Sequence, residues 1–184
     1  MAVAVQTFAD RLAAEVERKQ SQLVVGLDPR LDLLPVELRG DVARFCCGLV
    51  DAVAPHAVAV KPQLAFFEAL GPTGMSAFAE TCAYARRAGL LVIADGKRGD
   101  IGSTARAYAE AYLEGSPPRA DALTVNAYLG RESVEPFIAA ARRSGTRDLR
   151  HRQDVERRRR RPGPATDRRA AALAPRRVAR RGVG

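Results

Sequence analysis

No two cysteines in this 184-residue chain are spaced to grip a metal: Cys46 and Cys47 are adjacent and Cys82 stands alone. Three thiols without a CxxC pair or an even framework argue against a zinc site or a disulfide scaffold, and they fit a reducing cytosol. All three read as small buried hydrophobes. Long apolar runs are missing as well. Nothing approaches the roughly 20 residues that span a bilayer, and the N-terminus lacks a charged region followed by an apolar core. The expectation is a soluble, cytoplasmic protein with no membrane partner. His56, in a short connection after Pro55, reads as a solvent-facing loop residue without a catalytic role.

Acidic charge is scarce in only one part of the chain. The formal charge of +9 would ordinarily point to a nucleic-acid or membrane-surface partner. Residues 1–146, however, carry 16 basic and 17 acidic side chains, whereas residues 147–184 carry 14 and 4. The basicity therefore belongs to the tail, and the first 146 residues are close to neutral.

Those 146 residues alternate between helical and strand patterns. Thr7 to Lys19 spaces Phe8, Leu12 and Val16 by four, as an amphipathic helix does, and Gln22 to Leu27 follows as a first buried strand. Pro29 holds Asp28 extended at that strand's end. Leu38 to Val53 has helical periodicity. Ala57 to Val60 is a second strand ending in Lys61 and Pro62, and Phe66, Phe67 and Leu70 beyond it are expected to pack in the core. Gly71-Pro72-Thr73-Gly74 is expected to break the chain before a helix from Met75 to Ala88. Leu90 to Ala94 is the third strand. Ile101 to Leu113 then forms a helix with Ala105, Tyr108, Ala109 and Tyr112 on one face, stopped by Gly115-Ser116-Pro117-Pro118. Ala122 to Val125 is the fourth strand, and Glu132 to about Arg143 the last helix. Strict βα alternation implies an α/β fold with parallel strands and right-handed crossovers.

The stretch with most chemistry is Leu90 to Thr104, LLVIADGKRGDIGST, in which a buried strand runs into Asp95, Lys97 and Asp100. The C-terminal ends of strands are where open α/β sheets and barrels place their sites. On strand geometry a period of two sets Asp95 and Lys97 on the same side, with Asp100 following at the start of the next helix. A bare DxKxxD also occurs as a solvated turn with an incidental ion pair.

Its context is more specific. Asp95-Gly96-Lys97-Arg98-Gly99-Asp100-Ile101-Gly102, together with Val25-Gly26-Leu27-Asp28-Pro29 and Val60-Lys61-Pro62-Gln63-Leu64-Ala65-Phe66-Phe67-Glu68, resembles the orotidine 5'-phosphate decarboxylase family in its longer bacterial branch. Asn126-Ala127-Tyr128-Leu129-Gly130 resembles that family's fourth-strand ending. The resemblance implies a (β/α)8 TIM barrel of which residues 1–146 supply the first four βα units, since a whole barrel typically takes ~250 residues. It implies decarboxylation of orotidine 5'-monophosphate to uridine 5'-monophosphate and carbon dioxide, with no metal or organic cofactor, in a homodimer. By the same resemblance Lys97 is the proton donor and Asp95 lies close to the substrate carboxylate. Lys61 and Asp100 hold the charged array, Asp28 bonds the ribose, Asn126 faces the mouth, and Asp100 and Ile101 reach the partner's site. A hexulose-phosphate synthase-like aldolase shares the DxKxxD core, but the KPQ and DGKRGDIG contexts weigh against it.

After Thr146 the character of the chain changes. Residues 147–184 contain neither an aromatic residue nor a lysine and include the run Arg157 to Arg161. The composition predicts a disordered or irregular tail that is not a native domain and binds nucleic acid only nonspecifically. Its origin is expected to be a shifted reading frame in GC-rich coding. With codons chosen from the degenerate set, back-translation of residues 147–167 and a one-base shift is able to give GIFVIVKTSNAGGDVQDL, an apolar strand followed by a serine where the resembled family contacts the pyrimidine. The family's phosphate-gripping residues would lie beyond this point, so the chain as written is expected to be truncated and almost inactive.

Overall fold

The computed structural model describes residues 7–114 and 120–144. Helix α1, Phe8–Lys19, opens with a capping box: the Thr7 side chain accepts from the Asp10 N–H at 3.0 Å, and Asp10 accepts from the Thr7 N–H at 2.9 Å. The helix lies across the early residues of the sheet, where Phe8, Leu12 and Val16 pack against Val58, Ala59, Leu91 and Ala122. Lys19 ends it with its ammonium sunk among carbonyl oxygens, 2.9 Å from Ala54, 2.7 Å from Ala57 and 3.4 Å from Gly89. That side chain thereby fastens α1 to the segments entering the second and third strands.

Four strands follow, β1 Leu23–Leu27, β2 Ala57–Pro62, β3 Leu91–Arg98 and β4 Ala122–Val125. They form one parallel sheet in the order β1-β2-β3-β4. Strand order equal to chain order, with no reversal at a switch point, is the pattern of a barrel segment rather than of a doubly wound sheet. Between the strands run α2 Val42–Val53, α3 Leu64–Glu68, α4 Gly71–Arg87 and α5 Gly102–Ala109, the last continued by a π-helical turn Glu110–Glu114. Helix α6, Arg131–Arg143, closes the described part. One core joins them: Val50 and Cys46 of α2, Phe78 and Cys82 of α4, Ala105, Ala109 and Tyr112 around α5, and Phe137 of α6 meet Leu27, Val60, Val92 and Leu123 of the sheet. Phe78 lies edge-on to both Phe67 and Tyr112, at centroid distances of 5.5 and 6.3 Å.

Several expectations need correction. The first strand is not buried: it is an edge, and Leu23 and Val24 are 59% and 43% exposed, because only β2 flanks it among the described residues. Helix α2 begins at Val42, not Leu38, since Asp41 caps it by accepting from the Arg44 N–H at 2.9 Å; Val36–Leu38 is a separate 3-10 turn. Gly71-Pro72-Thr73-Gly74 does not interrupt a helix but starts one, and Pro72 sits in the first turn, where a missing N–H costs nothing. Phe67 is fully buried as expected, whereas Phe66 and Leu70 are only partly buried. The stop at Gly115 to Pro118 and the whole tail from Arg147 lie outside the described residues.

Candidate active site

The sheet brings the motif residues together at its C-terminal end through an irregularity. Up to Ala94, β3 pairs regularly with β4, opposite Leu123; the next paired position is Arg98, opposite Val125. The intervening Asp95, Gly96 and Lys97 therefore bulge out of the ladder opposite Thr124. Lys97 takes a left-handed backbone conformation, φ 46°, a strained state for a residue with a side chain. Gly96 fits there because a Cβ would stand 2.7 Å from Leu64 Cδ1.

Asp95 is at the centre. Its carboxylate is almost buried, 8% exposed, and each oxygen accepts two hydrogen bonds. Oδ2 receives Lys61 Nζ at 2.5 Å and Gln63 Nε2 at 3.2 Å; Oδ1 receives Lys97 Nζ at 2.6 Å and Thr124 Oγ1 at 2.9 Å. Burial alone would push the Asp95 pKa up, but the hydrogen bonds from Lys61, Lys97 and Thr124 outweigh it and hold the carboxyl down at about 2. Around one fixed anion stand two ammonium groups, and the Lys97 side chain is 65% exposed. Such a group is able to stabilise an arriving negative charge and hand over a proton.

The other expected residues make no bond to this array among the described residues. Asp28 directly follows β1, whose Gly26 and Leu27 pair with Lys61 and Pro62, so it stands on the neighbouring strand end; its side chain is exposed and makes no hydrogen bond or ion pair among the described residues. Asp100 turns its Oδ1 to the Ile101 N–H at 2.8 Å instead of to a lysine. Ile101, the residue before α5, is 61% exposed. Asn126 is exposed and uses Oδ1 to accept from the Tyr128 N–H at 2.9 Å, forming an Asx turn after β4. His56 is exposed in the α2–β2 connection.

Two members of the array have no role in the sequence reading. Gln63 lies within the KPQ motif, and Thr124 is the hydroxyl in an otherwise apolar strand, ALTV. The bulge has a further anchor at Arg98, whose guanidinium pairs with Glu68, donates to the Tyr112 hydroxyl at 3.1 Å and lies over the Tyr108 and Tyr112 rings. Among the described residues no cluster of three or more His, Cys, Asp or Glu is arranged to hold a metal, and no helix is long and apolar enough to cross a membrane.

Residues 21–171 match the family described as Orotidine 5'-phosphate decarboxylase / HUMPS family. A curated Rhodopirellula baltica protein named orotidine 5'-phosphate decarboxylase is 52% identical over 149 residues, covering 72% of this chain and 49% of its own length. A protein of the same name from Deinococcus radiodurans is 49% identical over 142 residues, 76% of this chain and 50% of its own. Among solved structures, a Streptomyces avermitilis protein provisionally assigned as an orotidine 5'-phosphate decarboxylase superposes with a TM-score of 0.68 at 36% identity, over 85% of this chain and 60% of that one. The chain spans about half the length of the curated relatives it matches.

Proposed function

This chain belongs to the Orotidine 5'-phosphate decarboxylase / HUMPS family, and from that premise we propose that its charged array serves the decarboxylation of orotidine 5'-monophosphate to uridine 5'-monophosphate and carbon dioxide, a step of pyrimidine nucleotide synthesis. The observation that carries the reading is the Asp95 carboxylate held between the Lys61 and Lys97 ammonium groups. The difficulty of the reaction is that the bond to the departing carboxylate leaves its electron pair on C6 of the pyrimidine, where no electron sink is attached. Lys97 opposes that charge electrostatically and then protonates C6; water restores its proton. Asp95, fixed as an anion, repels the substrate carboxylate and so favours the state in which it leaves. Lys61 keeps Asp95 ionised and oriented.

Asp28 is assigned to the ribose and Asn126 to the rim of the site. Asp100 and Ile101 are assigned to a second subunit's site in a homodimer; in support, Asp100 does not turn towards the lysines of its own chain and Ile101 is exposed beside it. The reaction is assigned to the cytoplasm, in keeping with the free thiols of Cys46, Cys47 and Cys82. The tail from Arg147 is attributed to a shifted reading frame, with nonspecific, salt-sensitive nucleic-acid contacts its only expected binding. Since remote binding of the substrate phosphate supplies much of the rate in such enzymes, the chain as written is expected to be nearly inactive.

The test is release of labelled carbon dioxide from carboxyl-labelled orotidine 5'-monophosphate. A version whose gene is corrected by one base near codon 147 should turn over substrate, and Lys97→Ala in that version should lose roughly 10²–10⁴-fold or more in kcat. Near-normal turnover by Lys97→Ala removes the proton-donor role. Codons across residues 145–150 that are incompatible with the shifted frame remove the frame assignment.

A further inference from the structure

We propose that Thr124 is a positioning residue of this site: its hydroxyl ties the Asp95 carboxylate to the Lys97 backbone, so that one side chain of β4 sets where both charged groups stand. Its consequence for turnover rests on the decarboxylase reading; its effect on the two groups does not.

The geometry is a relay of two hydrogen bonds through one oxygen. Thr124 Oγ1 donates to Asp95 Oδ1 at 2.9 Å and accepts from the Lys97 N–H at 2.9 Å. Because Asp95 to Lys97 have left the β3–β4 ladder, the Lys97 amide lacks a ladder carbonyl and takes a side-chain oxygen in its place. A left-handed lysine is costly by itself, and such a backbone persists only where its surroundings over-determine it. The Thr124 acceptor is one such restraint, and the adjoining Arg98, locked to Glu68 and Tyr112, is another.

The same hydroxyl settles the orientation of the carboxylate. Lys61, on β2, and Gln63 both hold Oδ2, whereas Oδ1 is held by Lys97 itself and by Thr124. Lys97 is the more exposed of the two ammonium groups, 65% against 35% for Lys61. When it swings towards a ligand, Thr124 is the remaining donor on Oδ1 among the described residues, and it keeps the carboxylate from rotating after the ammonium. Valine at this position would have nearly the same shape but neither hydrogen bond; serine would keep both.

The experiment compares the chain with Thr124→Val and Thr124→Ser by NMR, without substrate. Amide exchange at Lys97 should be at least about tenfold slower in wild type and Thr124→Ser than in Thr124→Val. The Asp95 side-chain carbon, followed from about pH 6 to 3, should stay flat in the first two and turn upward in its titration earlier in Thr124→Val, with a rise in pKa of about one unit. Unprotected exchange of the Lys97 amide in wild type overturns the proposal even where the valine variant fails to fold, and so does an unaltered Asp95 titration in a folded Thr124→Val. In the frame-corrected protein the proposal expects kcat to fall more than KM changes, with recovery in Thr124→Ser. Absence of carbon dioxide release from every version counts against the decarboxylase reading and leaves the titration and exchange to judge Thr124.

Discussion

A carboxylate that accepts four hydrogen bonds, two of them from ammonium groups, ties stability to acid in a definite direction. The Asp95 carboxyl is held at about 2 against an ordinary value near 3.8, so the unfolded chain takes up this proton first as pH falls. The stabilisation is complete above about pH 4 and is lost as pH drops through about 2, and the shift corresponds to something on the order of 2 kcal/mol. Urea midpoints measured across that window should fall with pH, and the Asp95→Asn protein should show a shallower slope; equal slopes would mean that the array leaves folding unaffected. Thiols give a second residue-level expectation. Burial pushes Cys46 and Cys82 up to about 12, whereas Cys47 is raised by burial less fully and stays partly exposed. Iodoacetamide at mildly alkaline pH should therefore label Cys47 alone in the folded protein and all three thiols in urea, as read by mass spectrometry. Lys61, Asp95 and Lys97 were legible as one array through the motif resemblance; charges just past apolar strands read by themselves equally well as a solvated turn or a lysine reaching for the surface. Thr124 was not, because a threonine in a strand is ordinary by propensity and becomes informative only when the bulge opposite it is known.

Elements were legible where their apolar pattern is long, and less so where backbone geometry decides. The four strands and the helices α1, α4 and α6 follow from runs and periods. Short α3 carries too few residues to show a period, and the start of α2 depends on a single Asp41 cap. The α3–α4 corner depends on Gly74, where an added Cβ would lie 2.0 Å from the Phe67 carbonyl oxygen and 2.6 Å from Leu70 Cβ. Neither neighbour is the tip of a flexible chain, so the two helices would have to separate. That movement would disturb Phe67 and Phe78, both fully buried, and through Glu68 the anchor on Arg98. Gly74→Ala is accordingly expected to destabilise the fold by about 1–3 kcal/mol or more, although alanine is the better helix former. Thermal or urea unfolding checks it, and an unchanged or raised midpoint would show that the corner has room. Ser76→Ala, on the exposed-to-partly-buried first part of the same helix, serves as the control.

At the scale of the molecule, four parallel strands in chain order leave β1 and β4 as the two ends of the described sheet. In a closed barrel every strand has two neighbours, and closure removes edges altogether. Among the described residues β1 has no partner on the side away from β2, where Leu23 and Val24 are exposed, and Tyr128 and Leu129 beyond β4 are 90% and 53% exposed. Natural edge strands carry charge, proline or a bulge facing outwards to resist pairing; the β1 sequence LVVGL has no charge and no proline, and its register shift lies on the side paired with β2. The chain is therefore expected to associate through these edges, with light scattering rising as protein concentration is raised from about 1 µM to 1 mM. Contacts made by the basic tail would weaken with added salt, whereas apolar and backbone contacts would persist or strengthen, so salt dependence separates the two. Leu23→Lys combined with Val24→Thr should suppress the salt-resistant fraction without disturbing the Lys61–Asp95–Lys97 array, which lies at the opposite end of the strands. A monodisperse monomer across that range, or association unaffected by the double substitution, would show that this flank is already covered.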